Sequence, residues 1–287
     1  MPVLELSDTK EKTETNIKLD KLKLYAKRCS NIAPNIYLSG EEVAYDKSIL
    51  LENQISHIIN CAGTYCVNLF PNEFEYYTIN LYDSENEDIS GFFLSVIEYV
   101  EGVLKNKGQV LFHCQQGVSR SSTILIMYLM WKNKETLEIT HKRVKQIREI
   151  SNPNLGFIYQ LLMWEKMLFS PSVLYPLVMF TVPHSSTDLH FILKKAINNA
   201  LDTRGVFIVQ TGTTLFKWVG AKASEKLMKP TDEAIDRLQK YMGASATVST
   251  IQQGAEPVEF TNLCEKFSNS INEVPEYTSH FLALDKM

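Results

Sequence analysis

Cys114 and Arg120 frame a short polar stretch, HCQQGVSRSS, that separates the apolar run GQVLF from the apolar run TILIMYLMW. The first run is typical of a buried strand, and the second is too long for a strand and predicts a helix. A loop between a strand and a helix N-terminus directs backbone N–H groups at one point, where the helix dipole adds positive potential. Such a loop suits an anion, because Gly117 permits a tight turn and the planar fork of Arg120 can hold two phosphate oxygens.

Cys114 comes at the base of this loop, where the same positive potential stabilises a thiolate. A thiolate that faces a bound tetrahedral anion can attack its phosphorus. The product is a phosphocysteine, which water then cleaves. The residues therefore predict hydrolysis of a phosphate ester by a cysteine nucleophile.

The segment from His113 to Ser121 resembles the signature of the cysteine-dependent protein phosphatases, a cysteine and an arginine with five residues between them. The resemblance implies that His113 orients the loop without acting as a base. It also implies that the hydroxyl of Ser121 bonds the cysteine sulfur and helps to expel it, although this serine can equally be an ordinary first-turn helix residue. The implied phosphate-binding loop consists of Gln115, Gln116, Gly117, Val118, Ser119 and Arg120.

A general acid must protonate the leaving alcohol or phenol, and in the dual-specificity branch of this family an aspartate about thirty residues before the cysteine does so. Asp83 lies 31 residues before Cys114, in INLYDSENEDIS, and follows a predicted strand. Asp88 is the alternative in the same loop, but we expect it to cap or charge the first turn of a helix that begins near Ile89. We therefore expect Asp83 to be the acid.

Two further side chains have roles that the resemblance implies. Asn154, in ISNPNLGF, matches an asparagine that braces the phosphate loop, while turn and cap chemistry is an equal alternative. Cys61 follows the predicted strand HIIN, and Cys114 ends QVLFH at the same edge of a parallel sheet. Tensin-type relatives use a cysteine in the corresponding place as a redox partner; the alternative is that Cys61 is a small buried apolar residue.

Strands and helices alternate along the first part of the chain. The predicted strands are NIYLSG, ISHIINCAG, FEYYTINL and QVLFHC, and the predicted helices are EEVAYDKSILLEN, ISGFFLSVIEYVEGVLKN, Ser119–Lys132, TLEITHKRVKQIREI and NLGFIYQLLMWEKMLF. This order predicts an α/β fold, a mostly parallel central sheet flanked by helices. The apolar face of the second helix is predicted to comprise Phe92, Phe93, Val96, Ile97 and Val100.

The resemblance to dual-specificity phosphatases covers roughly Ser30–Phe169 and is strongest for the mitogen-activated protein kinase phosphatases, particularly the plant-type group. The prolines of SPSVLYP predict a boundary near Pro171, so the catalytic domain is expected over 29–170.

After this domain we expect a strand, a helix, the hairpin GVFIVQTGTTLFKWVG, another helix and a final strand. The hairpin resembles a gelsolin-homology repeat, which implies a smaller α+β gelsolin-like domain over 172–287. Gelsolin repeats often carry an acidic residue beside the glycine of the first strand as a calcium ligand, whereas Gly205 here is followed by Val206, which disfavours calcium binding. Whether the domain binds actin is left undecided.

The first 28 residues form an N-terminal extension that contains IKLDKLKLYAKR. Its basic side chains and spaced leucines resemble the docking peptides that bind an acidic groove on mitogen-activated protein kinases. The alternative is an ordinary amphipathic strand or helix that leads into the domain. The residues concerned are Lys18, Lys21, Lys23, Lys27 and Arg28, among Ile17, Leu19, Leu22 and Leu24.

The expected substrate is a phosphorylated protein, as the resemblance implies, and in particular a mitogen-activated protein kinase. The neutral Gln115 and Gln116 disfavour phosphoinositides and RNA triphosphates. A catalytic domain of about 140 residues lacks room for the deep pocket of the larger tyrosine-specific enzymes, so phosphotyrosine and phosphoserine or phosphothreonine are all expected to enter. The alternatives are a phosphoprotein-binding pseudophosphatase without turnover and a lipid or RNA phosphatase of the same fold.

Composition limits the other possibilities. The net charge is −4 and no basic stripe indicates nucleic acid as a partner. The sequence shows neither the apolar core of a signal peptide nor an apolar run long enough to span a bilayer, so we expect no association with a membrane. Five irregularly spaced cysteines favour reduced thiols inside the cell, in the cytoplasm or also the nucleus. No spacing predicts a metal site, and the chemistry needs no cofactor.

Overall fold

A computed structural model describes residues 5–169, 177–183, 189–195, 201–211, 214–242 and 247–269. The chain divides into two compact units, Met1–Ser170 and Pro171–Met287. In the part of the chain that is described, no helix is long and apolar enough to cross a membrane.

The first unit is built on a five-stranded sheet in the order β1-β2-β5-β3-β4. Its strands are β1 (Ser30–Ala33), β2 (Ile36–Ser39), β3 (His57–Asn60), β4 (Glu75–Thr78) and β5 (Val110–His113). Only the β1–β2 pair is antiparallel, so the predicted mostly parallel sheet is confirmed, with β1 as a strand that the sequence did not indicate. The central strands β2 and β5 are buried at every position, as expected for parallel strands covered on both faces.

Seven α-helices lie in the first unit among the described residues. They are α1 (Glu5–Ala26), α2 (Glu41–Ala44), α3 (Lys47–Glu52), α4 (Phe93–Lys105), α5 (Arg120–Asn133), α6 (Leu137–Ile147) and α7 (Leu155–Phe169). Helix α5 contacts α4, α6, α7 and β5, and its residues 120–130 are buried. The predicted apolar face of α4 is confirmed, because its four helical members and Phe92 of the preceding 3-10 turn are all buried.

The single helix predicted over EEVAYDKSILLEN is wrong. The chain leaves the helix after Ala44 and begins a new one at Lys47. The carboxylate of Asp46 is the reason, because its Oδ1 accepts from the backbone N–H groups of Ser48 (3.0 Å) and Ile49 (3.3 Å). Such a cap starts a helix, so α3 has its own N-terminus.

The second unit has a sheet in the order β10-β9-β8-β6-β7, in which only β10 and β9 are parallel. Its elements are β6 (Leu177–Pro183), β7 (Leu189–Lys195), β8 (Val206–Thr211), β9 (Thr214–Val219), α8 (Met228–Met242), β10 (Thr247–Gln252) and α9 (Val258–Asn269). The β8–β9 hairpin, α8 and β10 follow the predicted order. Between β6 and the hairpin, where the sequence predicts a helix, residues 189–195 instead form a strand that pairs antiparallel with β6 along its whole length; residues 196–200 lie outside the described residues. Helix α9 was not predicted.

Candidate active site

The loop between β5 and α5 turns four successive carbonyl groups outward, where each meets a donor. Gln115 O accepts from Glu41 N (2.9 Å), Gln116 O from Arg148 Nη2 (2.8 Å), Gly117 O from Arg148 Nε (2.9 Å) and Val118 O from Asn152 N (2.8 Å). In a planar trans peptide the N–H group points away from the carbonyl that precedes it. The N–H groups of residues 116–119 therefore point toward the inside of the loop, an arrangement that suits a bound anion. We call the loop that carries these N–H groups the cradle.

Gly117 is the one loop residue with a left-handed backbone, at φ +67°. A Cβ atom there would lie 2.3 Å from the carbonyl oxygen of Ser39 and 2.7 Å from Arg148 Nη2. Any side chain at this position would clash with the end of β2 and force the loop to move away from it. The observed shape of the cradle therefore requires a glycine here.

Cys114 lies at the base of the loop and is 1 % exposed. The hydroxyl of the fully buried Ser121, in the first turn of α5, donates to its sulfur at 3.2 Å. Because a hydroxyl donor stabilises a thiolate more than a thiol, this contact suits a sulfur that must depart as an anion.

Arg120 is almost wholly buried at the start of α5. Its Nη2 donates to Gln115 Oε1 (2.8 Å) and its Nη1 to the carbonyl of Leu81 (3.2 Å). Its Nε has no hydrogen-bond partner and lies 3.7 Å from Asp83 Oδ2. The guanidinium thus lies beside both the loop and Asp83, a position that suits a cation that is to hold a phosphate.

Asp83 is held beside the cradle. Its Oδ1 accepts from Ser119 Oγ (2.7 Å) and from Asn154 Nδ2 (2.9 Å), while its side chain is 38 % exposed. A carboxyl group placed between the loop and solvent can reach both a leaving oxygen and water.

Asp88, the alternative acid, lies at the start of the helical region that leads into α4, where its Oδ1 accepts from Ser90 Oγ (2.7 Å). The backbone N–H groups of Ile89 and Ser90 are capped by Gln160 Oε1, at 2.9 Å each. The sequence did not indicate this cap, because Gln160 follows about seventy residues later. Asp83 is therefore the carboxylate that contacts the loop residues Ser119 and Arg120.

Asn154 makes both contacts that the sequence left as alternatives. Its Oδ1 accepts from the backbone N–H of Phe157 (2.9 Å), which caps α7. Its backbone N–H donates to Ser119 Oγ (3.2 Å), and its side-chain amide holds Asp83. It therefore links the end of the cradle, the carboxylate and helix α7.

The comparisons with known proteins agree with this geometry. Residues 36–167 match the family model of the dual specificity phosphatase catalytic domain. This part of the chain is a dual-specificity phosphatase domain. The protein-tyrosine-phosphatase MKP1 of Arabidopsis thaliana is 35% identical over 269 residues, 90% of this chain and 34% of that protein. Because 269 residues do not fit within the first unit, the likeness to MKP1 extends into the second.

Human dual specificity protein phosphatase 4 is 38% identical to this chain over 141 residues, 49% of this chain and 36% of that protein. The chain thus spans about a third of the length of these curated relatives. Among solved structures, the human tyrosine phosphatase-like serine/threonine/tyrosine-interacting protein is 29% identical, with a TM-score of 0.46 over 48% of this chain and 96% of that chain.

Arg148, which the sequence analysis missed, braces the loop of the phosphatase domain from behind. It is fully buried, and burial lowers its pKa to about 10. Besides the carbonyls of Gln116 and Gly117, it donates through Nη1 to Tyr25 O (3.4 Å), Arg28 O (3.2 Å) and Ser30 Oγ (3.3 Å). It thereby ties the end of α1 and the start of β1 to the cradle. Nothing in VKQIREI distinguishes it from a surface residue of a basic helix.

We predict that Arg148→Lys lowers the free energy of unfolding by about 2–4 kcal/mol, because an ammonium group cannot reach all five acceptors and leaves buried carbonyls unpaired. Urea unfolding measures the loss. The matched control is Arg143→Lys on α6, whose partly exposed ion pair with Glu135 is expected to contribute less than about 1 kcal/mol. Equal losses in the two variants would contradict the bracing role of Arg148.

His113 is buried at the end of β5, and burial lowers its pKa to about 4. The ring is therefore neutral near pH 7, with Nδ1 lacking a hydrogen-bond partner. A neutral ring sealed from solvent fits an orienting role.

Cys61 lies beside Cys114. Its N–H donates to the carbonyl of His113 (2.8 Å), and Asn60 pairs with His113 in the parallel register of β3 and β5. Cys61 is fully buried; burial raises its pKa and the neighbouring Cys114 raises it further. Burial also raises the pKa of Cys66 to about 12, and the Cys66 sulfur donates to Glu41 Oε2 at 3.2 Å.

We predict that mild peroxide inactivates the enzyme reversibly. Peroxide would oxidise the Cys114 thiolate to a sulfenic acid. The Cys61 sulfur would then attack it, giving up its proton to the departing hydroxide, to form a disulfide and release water. Peptide mass mapping checks for the Cys61–Cys114 bridge, and Cys61→Ser should recover less activity under thiol than the unmodified protein. Cys66→Ser is the control, with full recovery expected. Full recovery of Cys61→Ser would exclude a protective role.

Proposed function

We propose that this chain hydrolyses phosphate monoesters on tyrosine, serine and threonine side chains of proteins through a phosphocysteine intermediate. The observation that carries the proposal is the placement of Cys114 and Ser121 under a cradle whose carbonyls face outward, with Asp83 held at its rim. Arg120 supplies the cation for the phosphate. The family of residues 36–167 supports the same chemistry.

In the proposed first step the Cys114 sulfur attacks phosphorus, the bond from phosphorus to the ester oxygen breaks, and Asp83 gives that oxygen its proton. In the second step Asp83 takes a proton from water, whose oxygen attacks the phosphocysteine. The phosphorus–sulfur bond then breaks and the sulfur leaves as a thiolate that accepts the hydrogen bond of Ser121. The products are the free hydroxyl side chain and inorganic phosphate.

Release of p-nitrophenol from p-nitrophenyl phosphate tests this proposal, with Cys114→Ser as the control. The expected result is turnover that depends on Cys114. Binding of a phosphopeptide without turnover by the unmodified protein would instead favour a phosphoprotein-binding scaffold. Turnover of inositol phosphates or RNA triphosphates in preference to phosphopeptides would favour the lipid or RNA alternative, which the neutral side chains of Gln115 and Gln116 disfavour.

The proposed protein substrate is a mitogen-activated protein kinase, and the proposed docking element is the end of α1. Three apolar side chains of this helix are exposed rather than packed on the domain: Ile17 (48 %), Leu19 (49 %) and Leu24 (66 %). Lys18 and Lys23 are exposed among them, whereas Lys21 forms an ion pair with Glu149. An exposed mixture of leucines and lysines suits an acidic, partly apolar groove.

We predict that the double substitution Leu19→Ser and Leu24→Ser lowers kcat/KM on a whole phosphorylated kinase about ten-fold or more, because two buried leucine contacts would be lost at the interface. Hydrolysis of p-nitrophenyl phosphate should not change. Substitution is preferable to deletion of residues 1–28, because Tyr25 and Arg28 contact Arg148 and deletion would disturb the cradle. An equal effect on both substrates would count against docking.

We further propose that the catalytic domain occupies residues 29–170 and that residues 172–287 form a gelsolin-like domain. The β8–β9 hairpin, with Trp218 and Val219 in its second strand and α8 after it, supports this assignment. Co-sedimentation with filamentous actin, with and without calcium, tests whether this domain binds actin.

All five cysteines are free thiols, which favours a location in the reducing cytoplasm or nucleus.

A further inference from the structure

Two half-exposed tyrosines lie beside the residues proposed to hold the phosphate. Tyr65 is 54 % exposed and Tyr82 is 50 % exposed. Their rings contact each other edge to face, with centroids 5.8 Å apart and planes at 87°. The Arg120 guanidinium carbon lies 5.9 Å from the Tyr65 ring centroid, and Tyr82 directly precedes Asp83. An exposed aromatic pair therefore flanks both the phosphate-binding cation and the proposed acid.

The backbone that carries Tyr65 is firmly held. The Asn60 side chain accepts from Ala62 N (3.0 Å) and donates to Cys66 O (2.8 Å), so it bonds both sides of the turn. Gly63 N donates to Ile79 O (3.0 Å), and a Cβ at Gly63 would lie 2.4 Å from Asn80 Oδ1. This turn cannot shift without breaking buried hydrogen bonds.

The backbone that carries Tyr82 is tied to the same site. The carbonyl of Leu81 accepts from Arg120 Nη1 (3.2 Å), and Asp83 is held by Ser119 and Asn154. The backbone of both tyrosines is therefore held in place relative to the cradle. A preorganised aromatic surface loses little conformational entropy when a second ring packs against it.

We propose that Tyr65 and Tyr82 form an aromatic wall that packs against the phenyl ring of phosphotyrosine and makes this residue the preferred substrate. This inference rests on the proposed function of the site. Only an ester oxygen separates phosphorus from the ring in phosphotyrosine, so a ring whose phosphate binds Arg120 stays within reach of Tyr65, which lies 5.9 Å from the Arg120 guanidinium carbon. Phosphoserine and phosphothreonine can still enter, but they offer the wall at most a methyl group.

The test measures binding and turnover of two peptides that differ only in carrying phosphotyrosine or phosphothreonine. Fluorescence anisotropy gives Kd in the Cys114→Ser background, and phosphate release gives kcat/KM in the active protein. Tyr65→Ala and Tyr82→Ala are each expected to weaken binding of the phosphotyrosine peptide about three- to ten-fold, the usual range for an aromatic pair, and to leave the phosphothreonine peptide within about two-fold. Tyr65→Phe and Tyr82→Phe keep the aromatic rings and should therefore retain the preference for the phosphotyrosine peptide.

Leu51→Ala, which removes an exposed apolar side chain of α3, is the matched control and should change neither peptide. Equal losses of affinity for the two peptides would overturn the proposal, because they would mean that Tyr65 acts only through Arg120. No measurable binding of the phosphotyrosine peptide would overturn it as well. A preserved phosphotyrosine preference in binding, without turnover by the active protein, would support the wall and exclude the proposed hydrolysis.

Discussion

Cys114→Ser is expected to lower phosphate release by more than about 10⁴-fold, because an unactivated hydroxyl replaces the sulfur proposed to attack phosphorus. Phosphate binding should survive. The carbonyls of residues 115–118 stay bonded to their donors behind the loop, so the N–H groups still face inward, and Arg120 is unchanged. A phosphate-release assay gives the loss of rate, and titration with a phosphopeptide gives the affinity.

The control for this variant is Cys66→Ser, another buried thiol near the site that bonds Glu41 rather than Ser121. It should retain most of the activity. If Cys114→Ser lost binding together with turnover, the thiolate would also be needed to hold the loop in shape. If it kept a comparable rate, the nucleophile would not be Cys114.

Asp83→Asn is expected to slow hydrolysis of a phosphotyrosine or phosphoserine peptide by about 10²- to 10⁴-fold, the usual contribution of a general acid. The loss on p-nitrophenyl phosphate should be less than about ten-fold when formation of the phosphocysteine is measured, because p-nitrophenolate leaves without a proton. Asparagine preserves the shape of the carboxylate and can still bond Ser119. Stopped-flow measurement of p-nitrophenol release and steady-state peptide assays give the two numbers.

Asp88→Asn is the matched control for the acid, since it changes a carboxylate in the same loop that bonds Ser90 instead of the cradle. It should affect the two kinds of substrate equally and only slightly. A dependence on the leaving group in Asp88→Asn, together with uniform losses in Asp83→Asn, would reverse the assignment.

The cradle could be anticipated from sequence because its parts are consecutive. A buried strand, a glycine that needs a left-handed backbone, an arginine and a helix N-terminus all fall within HCQQGVSRSS, so short-range rules suffice. The parallel direction of β2, β3 and β5 likewise follows from strands that alternate with helices, and it places the carboxyl ends of these strands at one edge of the sheet. For the same reason the neighbouring positions of Cys61 and Cys114 could be inferred.

The supports of the site could not be anticipated, because their roles depend on tertiary contacts. Arg148 lies 34 residues after Cys114, and four of its five acceptors are backbone carbonyl oxygens, which carry no sequence signal. Gln160 caps a turn about seventy residues away. The tyrosine wall joins two loops whose proximity depends on the β3–β4 pairing. In the second unit, β7 replaced a predicted helix because strand pairing with β6 outweighs local propensity.

The most direct test of the account is chemical trapping of the intermediate. Asp83→Asn, mixed with p-nitrophenyl phosphate that carries a radiolabelled phosphoryl group and then quenched, should retain label on the peptide that contains Cys114. Asp83 also activates the water of the second step, so this variant should accumulate more label than the unmodified protein. Label on any other residue, or turnover with no labelled enzyme at any time, would contradict a phosphocysteine mechanism at Cys114.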